Sequence, residues 1–415
     1  MKKKYSDLVL LILAGELIFS LPFHITRFFK PAVLDTFQTT NTNLGDAFAL
    51  YGILALLCYF PSGYFADKLS PKKLIFCSLL FTGIGGLYYA TLPHHKMLPY
   101  LYAFWGVTTI LFFWGALIKY TSDWGGSDQQ GKAFGYLEAG RGLVASIFSS
   151  LALLIVYFSS PNSDTIPQGS VQLVILFYSI TTIILSFLIL LFLKDNKRQK
   201  YSTHQFNEKV QVNYFPVFLI AIIVVCAYCG FRSIDNIALY LVDIGKFTPI
   251  EASGFVTALG YLRIVSALLA GIIADKISSI KLVIFLFFLT ILGQAMLFGL
   301  HPQSFYQLLL ASTTLVIVFI SIVSLRAVYF SLVLHSHIPS HRLGFCVGII
   351  SLVGFTPDIF FHPLTGRILD AEPGILGFQN YYLVTLIISI LGLLASLQLS
   401  KWISIKNYLQ NSKMN

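Results

Sequence analysis

Twelve blocks of about twenty or more mostly apolar residues follow one another along this chain of 415 residues. They fall at about 7–37, 43–66, 72–92, 98–120, 132–158, 170–193, 214–242, 250–274, 281–300, 305–334, 343–367 and 381–402. A helix of that length crosses about 30 Å of hydrocarbon. Lipid offers no partner for an open backbone, so the blocks must be helical. They lack the two-residue alternation of a membrane barrel. Only 11% of residues are charged, against about a quarter in a soluble domain, too few to cover a water-facing surface. The expected fold is all-α, a membrane protein of twelve transmembrane helices.

The basic residues test that count. With the N-terminus in the cytoplasm, inner loops and span ends hold 19 of the 28 Lys and Arg: Lys2, Lys3, Lys4, Lys68, Lys72, Lys73, Lys119, Lys132, Lys194, Lys197, Arg198, Lys200, Lys209, Lys276, Lys281, Arg342, Lys401, Lys406 and Lys413. The outer side holds three, Lys30, Lys96 and Lys246, and the other six are arginines within spans. That asymmetry follows the positive-inside rule and predicts cytoplasmic N- and C-termini in an inner (plasma) membrane. It also accounts for the net charge of +10 without nucleic acid. The apolar run after Met1-Lys-Lys-Lys is too long for a signal peptide and is expected to stay as the first span.

A charged loop is written twice. GYFADKLSPKKL, Gly63 to Leu74, returns 208 positions later as GIIADKISSIKL, Gly271 to Leu282. Gly52 and Gly260 keep the same offset. Arg27 comes near the counterpart of Arg232 if a three-residue length change is allowed. Between the copies lies KDNKRQKYSTHQFNEKVQ, polar and basic. The chain therefore divides into a six-helix bundle over 1–193, a cytoplasmic linker over 194–213, and a second bundle with a short cytoplasmic tail over 214–415. Duplicated halves of this kind are a transporter construction.

On these features the chain resembles the major facilitator superfamily. That family joins its second and third helices with a G-x-L-A-D-x-x-G-R-K pattern. Here Phe65, Ser70 and Pro71 replace the usual Leu, Gly and Arg. The resemblance covers essentially the whole chain and implies two pseudo-symmetric bundles and, usually, a monomer. It also implies a cytoplasmic latch between the bundles, falling here on Asp67, Lys68, Lys72, Lys73, Asp275 and Lys276. A finer resemblance, to the organophosphate:phosphate antiporter group that includes glycerol-3-phosphate transporters, rests on ITRFFKPA, LGDAFALYG and FRSIDNIALYL. It implies an arginine pair, Arg27 and Arg232, that holds an anionic substrate.

Ionisable residues inside spans are costly and point to function. Arginine suits bidentate recognition of carboxylate or phosphate. Arg27 and Arg232 lead the candidates for substrate contact, with His24, one turn before Arg27, and Arg141, Arg263 and Arg326 beside them. Asp235, three residues after Arg232, is placed to neutralise it instead. Glu138 and Arg141 are likewise spaced to pair. Glu16, Glu138, Asp235, Asp358 and His362 are candidates for carrying a coupling proton. Asp358 and His362 share a helical face and are also placed to hold Arg367. Trp105, Trp114 and Tyr261 stand mid-span, away from the interfacial belt where such rings usually lie.

Other chemistry is excluded. GSDQQGKA approaches a phosphate-binding loop but ends in Ala, without the magnesium-binding hydroxyl or a preceding strand. No metal-spaced His/Cys cluster and no nucleophile elbow occur, so neither cofactor nor metal is expected. The five cysteines lie in or beside apolar spans as small core residues. A membrane-bound enzyme or sensor would need an extramembrane domain, and the longest polar stretch is the linker. The expected function is secondary active transport of a small, anionic organic solute, phosphorylated or carboxylate, by alternating access, driven by protons or by exchange with phosphate. The alternative on the same scaffold is proton-coupled import of an amino acid, nucleoside or sugar, with the arginines salt-bridged.

Overall fold

The computed structural model describes residues 5–126, 129–161, 163–194, 213–334, 336 and 343–414. Twelve helices are long and apolar enough to cross a membrane, numbered α1–α12 in chain order: Tyr5–Thr36, Asn41–Lys68, Pro71–Ala90, His95–Gly125, Lys132–Ser159, Gln168–Phe192, Tyr214–Asp243, Pro249–Ile277, Ser279–Gly299, Phe305–Val328, Cys346–Ala371 and Ile375–Lys406. The linker falls almost wholly on 195–212, outside the described residues.

Helix starts follow local chemistry. The Thr40 hydroxyl accepts from Asn43 N–H to open α2, and Ser70 caps α3 with Pro71 at the first helical position. Thr248 and Glu251 close a reciprocal capping box at α8. Between these caps the helices show apolar side chains to their surroundings. Phe60 is 93% exposed and Leu191 71%, which costs little against lipid and a great deal against water.

The chain forms two compact units. The first takes the described residues of Met1–Asn196 with Ile234–Ile264 and Asp358–Phe378, and the second takes the rest. In the first unit α3 packs on α6, α2 on α4, and α1 on α5. In the second α9 packs on α10, and α7 on the opening turns of α11. The pairs α1–α5 and α7–α11 are repeat equivalents. The units divide differently from the sequence repeat, because α7, α8 and α11 pass from one to the other. Two of these passages coincide with breaks in α geometry. In α7 a 3-10 turn, Ile234–Asn236, follows Ser233, and in α11 a turn at Phe355–Thr356 precedes Pro357, which has no N–H to continue the ladder.

Helix α1 is broken too. A π-turn covers Ser20–His24 around Pro22, and Phe29 leaves helical geometry at φ −128°, ψ 29°. Pro31 explains the second break, since it removes the bond that would reach the Arg27 carbonyl. Backbone that departs from α geometry at membrane depth is tolerated where it is buried in protein, and all of Ser20–Val33 is buried.

Within the first unit, α2 and α11 meet almost backbone to backbone. A methyl group at Gly45 would stand 2.5 Å from the His362 carbonyl oxygen, and one at Gly52 would stand 2.7 Å from that of Asp358. No L side chain fits either place without a shift. Asp370 then accepts from Asn41 N–H at 3.2 Å and Thr42 N–H at 2.6 Å, so a carboxylate from α11 caps the N-terminus of α2.

Candidate functional site

The breaks in α1 and α7 carry the polar side chains. Arg27 donates from Nε to Asp235 Oδ1 at 2.5 Å, both buried. The partners lie 208 residues apart, the same offset that relates the two charged loops. Under that offset Asp235, rather than Arg232, occupies the position of Arg27, and the two equivalent residues hold each other. One turn along, Lys30 Nζ donates to the side-chain oxygen of Asn236. Two adjacent residues of α7 thus answer two cations of α1. His362 Nε2 lies 3.5 Å from Asp235 Oδ2, and its ring stacks on Phe48 at 4.3 Å.

Lys30, counted at an outer span end from the sequence, is only 7% exposed within α1. The prolines at 22 and 31 were the available signal, because a spanning helix broken twice needs internal polar partners. Asn236, only 2% exposed, offered none beyond its neighbour Asp235.

A second buried cluster sits nearer the N-terminus. Glu16 takes the His24 imidazole N–H at 3.1 Å on one oxygen and Arg141 Nε at 3.1 Å on the other. Arg141 Nη1 also reaches Glu138 at 2.6 Å, though the Glu138 side chain is 55% exposed. Arg263 is half-buried and acts electrostatically on Glu16 and His24.

In the second unit Arg232 donates to the Tyr228 hydroxyl at 2.8 Å and lies over that ring. Arg326 stands 3.8 Å from the centre of Phe231 and 6.0 Å from that of Tyr228. These are cation–π contacts. Asp235, the residue expected to neutralise Arg232, pairs with Arg27 in the first unit.

Elsewhere the expectation for Arg367 is corrected. It pairs with Asp46 at 2.8 Å and the Pro363 carbonyl at 3.0 Å, not with Asp358 or His362. Nine residues of helix put Arg367 about half a turn round from Asp358. Asp358 is half-buried beside α2. At the repeated loops, Asp67 pairs with Lys119 at 3.0 Å and Lys68 lies over the Tyr64 ring. Lys72 is partly exposed, while Lys73, Asp275 and Lys276 are exposed. Trp105 is fully buried core, donating to the Thr82 carbonyl at 3.2 Å. Trp114 is half-buried, and exposed Tyr261 shares a hydrogen bond with Ser150.

Comparison with known proteins now decides the family. The Major Facilitator Superfamily profile matches residues 12–362. The chain belongs to the Major Facilitator Superfamily. It is therefore a membrane transporter and not an enzyme. Among curated relatives of this facilitator, the inner membrane protein YihN of Escherichia coli K12 is 28% identical over 97% of each chain. The inner membrane protein YqcE of the same strain is 28% identical over 83% of each. Among solved structures, a bacterial homologue of the human lysosomal transporter Spinster, in an inward-facing, occupied conformation, has a TM-score of 0.76 at 14% identity over 97% of each chain. The nucleoside transporter NupG, in a point-mutant form, has a TM-score of 0.72 at 13% identity, covering 95% of this chain and 99% of that one. At such identities the likeness is one of fold.

Proposed function

We propose that this facilitator carries a small organic anion across an inner (plasma) membrane by alternating access, with both termini cytoplasmic. One observation carries the reading: the buried cation Lys30 is answered by the neutral amide of Asn236, while the neighbouring Asp235 is committed to Arg27. A buried charge that lacks an opposite charge is costly, and an anionic solute supplies one. A carboxylate or phosphorylated solute fits the finer resemblance to organophosphate:phosphate antiporters. Arg232, Arg263, Arg326 and Arg141 are further candidates for contact with the anion, and Asp235, His362, Glu16, Glu138 and Asp358 for exchange of a proton. Exchange against a second anion such as phosphate fits the same charges. The repeated loops with Asp67, Lys68, Lys72, Lys73, Asp275 and Lys276 serve as the cytoplasmic latch, whose contacts in one state bias the equilibrium between states. The carrier works as a monomer.

One observation favours a second reading. The Arg27–Asp235 pair is what a carrier of a neutral or zwitterionic nutrient would need to silence its arginine.

Transport currents or isotope uptake in proteoliposomes, over a panel of organic phosphates, carboxylates, nucleosides, sugars and amino acids, separates the two. The anion reading expects uptake of anions, inhibited by external phosphate or organic phosphate. Uptake confined to neutral or zwitterionic members, indifferent to those anions, would replace it with the second reading.

A further inference from the structure

The two contacts between α1 and α7 are neighbours of unlike kind. Arg27–Asp235 joins two full charges. Lys30–Asn236 joins a full charge to an amide. The acids that reach Lys30 through space are Asp235, Asp370 and Asp243, and among the described residues none forms an ion pair with it. Each is engaged elsewhere: Asp235 with Arg27 and near His362, Asp370 at the start of α2, and Asp243 at the far end of α7, three residues before Lys246.

Donors are left over on both members of the Lys30–Asn236 contact. An ammonium carries three N–H donors, and Lys30 spends one on Asn236. The Asn236 amide nitrogen carries two more, is buried, and has no hydrogen-bond partner among the described residues. A buried polar group without a partner has its explanation in strain, in a functional role, or in a bound water or ion. Here an ammonium and the amide it bonds both keep unspent donors, and an acceptor bearing negative charge would also supply the absent counter-charge. An amide oxygen fixes the lysine without neutralising it, where a carboxylate would compete with any incoming anion.

Building on the anion reading, we propose that Lys30 Nζ and Asn236 Nδ2 form the subsite that grips the oxyanion head of the transported solute. The Arg27–Asp235 pair beside it is a positioning contact that keeps α7 in register with α1. The subsite takes any compact oxyanion: carboxylate, phosphate, phosphonate or sulfonate.

Calorimetric titration of the purified full-length chain with inorganic phosphate, methylphosphonate, methanesulfonate and acetate tests this. It is run on the wild type and on Lys30→Gln and Asn236→Asp, with a thermal melt of each protein without ligand. Loss of a charge-assisted contact is expected to weaken binding of the responding probe about tenfold or more in Lys30→Gln. Asn236→Asp supplies the absent counter-charge. It should weaken the probe to a similar degree yet melt at a higher temperature than the wild type. That gain identifies a local charge deficit, which a merely structural amide would not show. If the wild type binds a probe and both variants bind it equally well, the subsite is overturned while the anion reading stands. If the wild type binds none of the four, both fall. Should Lys30→Gln not fold, Asn236→Asp decides alone, because it adds a counter-charge rather than removing the cation.

Discussion

Helix α1 holds two buried charge clusters built on opposite plans, their leading residues Glu16 and Arg27 about three turns apart. Around Glu16 the carboxylate spends both oxygens, on His24 and Arg141, and both hydrogen-bond partners come from the first half of the chain. Around Arg27 and Lys30 the partners come from α7, in the second half, and one cation meets only an amide. A closed cluster holds a helix in place. A cluster one charge short, shared between the halves, is what a cycling carrier needs. It leaves a buried cation between α1 and α7 with an amide in place of a counter-charge.

The closed cluster should break hardest. Glu16→Ala leaves Arg141 buried with half-exposed Glu138 as its remaining carboxylate contact and removes the imidazole's acceptor. A loss of about 3–5 kcal/mol is expected, measured by reversible unfolding in mixed micelles. A loss under about 1 kcal/mol would show that the cluster is not the structural one.

Asp235→Asn should cost less, about 2–3 kcal/mol, because an amide oxygen still accepts from Arg27. The Arg27→Gln/Asp235→Asn double variant should then be less destabilised than the sum of the single changes, by about 1–3 kcal/mol. Strict additivity would mean that the 2.5 Å contact contributes nothing and that the two clusters are alike. The smallest effect is expected from Arg367→Ala. Its pair with Asp46 is about half exposed on each side, so the change should stay within about 1 kcal/mol. A larger effect would extend the working contacts between α2 and α11 to their rim.

The architecture was legible in the sequence for a physical reason. Hydrocarbon length and backbone satisfaction leave one answer to twelve apolar blocks. The spans in the structure match those blocks to within a few residues, except that the tenth helix stops at Val328 and the last is longer at both ends, Ile375–Lys406. The duplicated charged loop predicts two halves, whereas the compact units take α7, α8 and α11 across that division. Pairing was less legible. Spacing along one helix finds i, i+3 partners such as Glu138 and Arg141, because both lie on one element. It cannot find Arg27–Asp235, Asp370 at the start of α2, or Arg367–Asp46, which depend on how separate helices meet. The burial of Lys30 was not legible, because hydropathy reads a lysine near a span end as an exposed terminus.

The α2–α11 contact has a mechanical corollary. Where a carbonyl rests against an α-carbon, as at Gly45 and Gly52, no side chain stands between the helices to swing aside. The seam has no soft degree of freedom of its own, so it cannot loosen by degrees. The two helices are locked there by backbone contact alone, and a single added carbon at either glycine would have to push them apart.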